Sequence, residues 1–61
     1  MFKEFDVIKS LKTLSPNIDI GTLGTILIIH NEEEVEVEFV DTQGKTLDLL
    51  TVSKNDIELL K

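Results

Sequence analysis

Val35-Glu36-Val37-Glu38-Phe39-Val40-Asp41-Thr42-Gln43-Gly44-Lys45-Thr46-Leu47-Asp48-Leu49-Leu50-Thr51 reads as two strands folded back on each other, and the remainder of the chain packs around them. Over Val35 to Phe39 apolar and charged residues alternate strictly. A period of two puts Val35, Val37 and Phe39 on one face and Glu36 and Glu38 on the other. Asp41-Thr42-Gln43-Gly44 supplies turn chemistry, with Gly44 free to take a positive φ at the closing position. A type I turn ending in a glycine bulge pairs Asp41 with Lys45. That register sets Phe39 opposite Leu47, Val37 opposite Leu49 and Val35 opposite Thr51. It also sets Glu38 opposite Asp48, and directly opposed like charges destabilise a ladder.

Sixty-one residues predict one domain over 1–61, with a thin core, because a chain of this size hides only about 60% of its unfolded surface. There is no Cys, hence no disulfide framework and no thiolate zinc site. The longest apolar run, Ile26 to Ile29, is far too short for a membrane span, and the N-terminus has no signal-peptide pattern. The expectation is a cytoplasmic protein. Twelve acidic residues against six Lys and no Arg give a net charge of −6. Without Arg, bidentate reading of phosphate or guanine has no agent, and an acidic chain disfavours nucleic acid. A basic protein surface or a cation is the better match.

Along the chain, Phe5 to Lys12 is read as a first strand with Phe5, Val7 and Leu11 on one face, although Phe2, Phe5, Ile8 and Leu11 also fit a helical spacing. Pro16 places a loop over residues 13–24, in which Ile18 and Ile20 tuck beneath as a lid and Gly21 and Gly24 bracket a sharp turn. Gly21, Gly24, Thr25 and Gly44 are the expected structural turn positions. A phosphate-cradling role for the two loop glycines fails on spacing, since neither GxxxxGK[ST] nor GxGxxG is present. Thr25 to His30 is an apolar strand, and Glu32 to Glu34 a charged turn. Ser53-Lys54-Asn55-Asp56 carries a capping signature for one 3₁₀ turn, followed by a short strand from Ile57 to Leu60. The predicted fold is all-β: a small five-stranded Src-homology-3-like barrel with one short 3₁₀ turn.

Gly21-Thr22-Leu23-Gly24-Thr25-Ile26, Val35 to Asp41, Gly44-Lys45-Thr46 and Leu49-Leu50-Thr51, led by Asp6-Val7-Ile8, resemble the motifs of a family of short uncharacterised bacterial proteins, a domain of unknown function. The resemblance runs from about Phe5 to Leu60. It implies a Src-homology-3-like barrel with no attached catalytic activity. It also implies a protein partner, since members are often encoded beside small genes, some of them toxin-like. G-x-x-G-T alone is less specific, because it also occurs in small barrels that bind RNA. Glu33 and Asp48 depart from the family pattern, and both make the hairpin more acidic.

For catalysis, the single His30 at a strand end and the scattered Ser10, Ser15 and Ser53 offer no nucleophile with a base, so no enzyme and no cofactor are expected. For a metal, Glu34, Glu36 and Glu38 stand roughly 6.5–7 Å apart along one strand, too far to share an ion. Only Glu38 with Asp48 could chelate, and two carboxylates make a weak site. The favoured candidate is a partner-binding strip of Glu36, Glu38, Asp41 and Asp48, with Leu50 as an exposed apolar contact. Solubility is the competing explanation for each of these charges taken singly. A nucleic-acid-associated barrel using Gly21 to Thr25, and self-association through an open strand edge, are the alternatives.

Overall fold

The computed structural model describes residues 1–60. Five strands, β1 (Val7–Ser10), β2 (Leu23–Ile29), β3 (Glu34–Val40), β4 (Thr46–Ser53) and β5 (Ile57–Leu59), follow in order, with a 3₁₀ turn at Lys54–Asp56 before the last. They form one antiparallel sheet in the order β4-β3-β2-β1-β5. The all-β class, the five strands and the 3₁₀ turn follow the sequence expectation. Closure does not: among the described residues no ladder joins β4 to β5, so the sheet keeps two edges. The described residues contain no helix long and apolar enough to cross a membrane.

The core is the inner face of this curved sheet plus one loop residue. Ile8, Ile26, Val35, Val37, Phe39, Val52 and Ile57 are buried, joined by Ile18. One transverse row explains much of the packing: Leu59, Ile8, Gly24, Phe39 and Asp48 stand side by side on five successive strands. Gly24 is flanked by Ile8 and Phe39, and a Cβ there would meet Val37 Cγ1 at 2.6 Å and Phe39 Cδ1 at 3.0 Å. The missing side chain is what admits the Phe39 ring. Gly24 and Thr25 are therefore β2 residues and not turn positions, which corrects the sequence expectation. Gly21 and Gly44, with φ of 88° and 82°, do occupy left-handed turns.

β1 is shorter than expected and faces the other way. Phe5 has a φ of 71° in the turn from Lys3 to Asp6, so extended structure starts only at Val7. Ile8 and Ser10 then point inward, while Phe5, Val7 and Leu11 are exposed. The register against β2 sets Ile8 beside Gly24 on the core side and Val7 opposite Thr25 on the outer face. The loop lid is half realised, with Ile18 buried and Ile20 exposed.

The register of the hairpin differs from the uninterrupted one. Asp41 N donates to Lys45 O, and Val40 faces Thr46, as the turn requires. Leu47 is then an extra residue with no partner, a β-bulge, and beyond it the pairing moves by one. Phe39 faces Asp48, Glu38 faces Leu49, Val37 faces Leu50 and Val35 faces Val52. The slip brings Val52 and Leu50 to the core side and separates Glu38 from Asp48. Apolar burial and removal of a like-charge opposition favour the bulge together.

Candidate interaction surface

The expected acidic strip does not assemble as one surface. Glu36 and Glu38 lie on the outer face of β3, in the rows Ile28–Glu36–Thr51 and Thr25–Glu38–Leu49. Asp48 belongs to the opposite face, in the Phe39 row at the β4 edge. Leu50 is half-buried against the core and is not an exposed contact. Glu38 and Asp48 therefore cannot converge on a cation.

Each carboxylate already has a local partner. Glu36 Oε1 lies 3.1 Å from His30 Nε2, and Glu38 accepts a short hydrogen bond from Thr46 Oγ1. Asp41 Oδ1 accepts from Gln43 N and Lys45 N, both at 2.8 Å, so it holds the hairpin turn. Asp48 Oδ1 accepts from its neighbour's Leu49 N at 2.8 Å.

The sheet instead brings apolar groups to the surface that alternation alone had hidden. A groove of about 340 Å³ opens between Ile20–Leu23 on one side and Val40–Thr42 with Leu47 on the other. Its wall is set by two local features. The Gly21 turn is tied to β1 by Gly21 N to Ser10 O and Ser10 N to Thr22 O; the Ser10 hydroxyl, 1% exposed, donates to Asp19 O and accepts from Thr22 N. This leaves Ile20 turned outward and 68% exposed. Opposite it, the bulge turns Leu47 out beside Val40. Among the described residues Asp41 is the one carboxylate that lines the groove, and Glu38 and Glu36 continue from Val40 along the same face of β3.

Ile20, Leu23, Val40 and Leu47 were not among the sequence candidates. The available signal was Leu47-Asp48-Leu49-Leu50-Thr51-Val52, which places apolar residues on both parities and so cannot be a regular half-buried strand. The Gly21-to-Thr25 segment, considered as a loop for nucleic acid, is not a free loop: Leu23 opens β2 and Gly24 is buried.

A family model described as a domain of unknown function, DUF4926, matches residues 4–59. The chain belongs to the DUF4926 family. No curated protein and no solved structure gives a significant match to it. The DUF4926 region spans all five strands, both sides of the groove and the hairpin turn.

Proposed function

We propose that this DUF4926 chain is a non-enzymatic protein-interaction module of the cytoplasm, with a Src-homology-3-like small-barrel plan. Its partner is a basic protein that inserts an apolar side chain between Ile20 and Leu47. The groove carries this reading: four apolar residues line an open concavity, with Asp41 in its wall and Glu38 and Glu36 beyond. An apolar anchor gives affinity while flanking carboxylates steer a cationic partner. The net charge of −6 supports the same sign of partner. A co-encoded toxin-like protein, implied by the family resemblance, is the first partner to test. The strand order and the 3₁₀ turn before β5 support the barrel-like assignment.

The test is affinity capture with the wild-type chain, Ile20→Glu and Glu36→Lys/Glu38→Lys, at low and high salt, with Asn17→Asp as a control away from the groove. The reading expects a stoichiometric protein that the control retains, that both groove-face variants lose, and that salt weakens. Recovery of nucleic acid alone, or of a protein indifferent to both variants, would overturn it.

A further inference from the structure

We infer that the open β4 edge is a pairing site for a second copy of the chain, joined antiparallel about a two-fold axis at Thr51. β4 is an eight-residue edge strand, whereas the other edge, β5, has three residues and carries the Lys9–Glu58 ion pair. Long edges with unpaired backbone groups template further strands unless charge, proline or a bulge protects them. On β4 the protection is confined to one end. The bulge sits at Leu47, and Asp48 Oδ1 occupies the Leu49 N–H. Leu50-Thr51-Val52-Ser53 has no charge, no proline and no bulge.

The backbone phase decides which groups are free. Lys54 N donates to Glu33 O, so Val52, Leu50 and Asp48 direct their backbone groups to β3. Leu49 and Thr51 direct theirs to the open edge, and Ser53 its N–H, while the Ser53 carbonyl opens the 3₁₀ turn. An antiparallel pair must join such outward residues, and centring it on Thr51 joins Thr51 to Thr51 and Leu49 to Ser53 of the second copy. The side chains then match. Leu50 meets Val52 of the second copy on the core side, extending a core in which Leu50 is only half-buried at the edge. Asp48 meets Lys54 of the second copy, an opposite-charge pair formed twice by the symmetry. Opposed threonines are a favourable cross-strand pair. Asp48 Oδ1 covers the Leu49 donor in the single chain and keeps it in the pair, where Asp48 Oδ2 meets Lys54 and Ser53 N–H donates to Leu49 O.

Sedimentation velocity from micromolar to millimolar protein tests this. The wild type should double its apparent mass with concentration. Lys54→Asp places two carboxylates opposite Asp48 groups and should abolish the doubling. Asp48→Lys/Lys54→Asp restores opposite charges and should recover it, with circular dichroism checking that each variant is folded. A wild type that stays monomeric throughout, a Lys54→Asp chain that dimerises like wild type, or a folded double variant that stays monomeric each overturns the proposal. None of these substitutions touches the groove, so failure here leaves the partner-binding reading standing, and the reverse holds.

Discussion

Glu38 stands opposite Leu49 on the β3–β4 ladder, and Asp48 stands opposite Phe39 on the other face of the sheet. A single unpaired residue, Leu47, produces this arrangement. It converts a ladder with opposed carboxylates into one where Val35 meets Val52 and Val37 meets Leu50 on the core side. The same residue forms a wall of the groove. Stability of the hairpin and shape of the candidate interaction surface thus share one structural cause.

Deletion of Leu47 should therefore leave the fold intact. Removing the unpaired residue keeps Val40 opposite Thr46 and Phe39 opposite Asp48, now without a bulge. The expected change in unfolding free energy is within about 1 kcal/mol, the size of a local ladder adjustment. In an uninterrupted register the same deletion would flip the whole of β4, turning out side chains worth about 1.5–3 kcal/mol each when fully buried. Urea denaturation separates the two. An unfolded deletion variant would refute the bulge.

The strand inventory was legible because Val35 to Phe39 alternates strictly and because Asp41 to Gly44 carries unambiguous turn chemistry. The register beyond Leu47 was not. Two apolar parities in Leu47 to Val52 are compatible with either face inward, and the choice depends on Val52 finding Val35, a tertiary fact. β1 failed for a related reason: Val7 and Ile8 are equally good strand residues, and only the register against β2, which sets Ile8 beside Gly24 on the core side, selects Ile8. The site residues suffered most. An acidic strip is a sum over register, so one slipped residue removed Asp48 and Leu50 from it while leaving Glu36 and Glu38 in place.

Gly24→Ala should destabilise although it is a conservative change. The new methyl would approach Val37 Cγ1 at 2.6 Å, Glu38 O at 3.0 Å and Phe39 Cδ1 at 3.0 Å. The carbonyl belongs to the β3 backbone and cannot rotate away. Overpacking of this kind costs about 1–3 kcal/mol. Phe39→Leu in the same chain should show coupling, the double variant losing less than the sum of the singles. Strict additivity in denaturant melts would mean that Gly24 and Phe39 do not share the space.

Asp41→Ala should weaken the hairpin by about 1–2 kcal/mol, the loss of a side-chain oxygen that satisfies two backbone donors. Asp41→Asn keeps an acceptor at the same place and should recover most of that loss. Because Asp41 also lines the groove, the pair of variants separates structure from charge. Asn should preserve melting temperature while lowering partner affinity, and Ala should lower both. Equal melting temperatures for all three chains would show that the turn does not depend on this side chain.

Ser10→Ala tests the link between the core and the groove. The hydroxyl is buried, donating to Asp19 O at 2.7 Å and accepting from Thr22 N at 3.0 Å. Asp19 O keeps Thr22 Oγ1 as a donor at 2.7 Å, and Thr22 N keeps Asp19 O as a longer acceptor at 3.2 Å, so each partner of the lost hydroxyl retains one bond. A buried polar group deprived of its only partner costs about 1–3 kcal/mol, and with both partners still bonded the low end of that range is expected. The effect should also be local. Hydrogen exchange should quicken at Gly21 and Thr22, while the β3–β4 ladder shows only the global change. Since Ile20 is held outward by this turn, Ser10→Ala should also reduce partner capture, though it lies outside the groove. Unchanged exchange at Gly21 and Thr22 would show that the Ser10 side chain does not fix the wall.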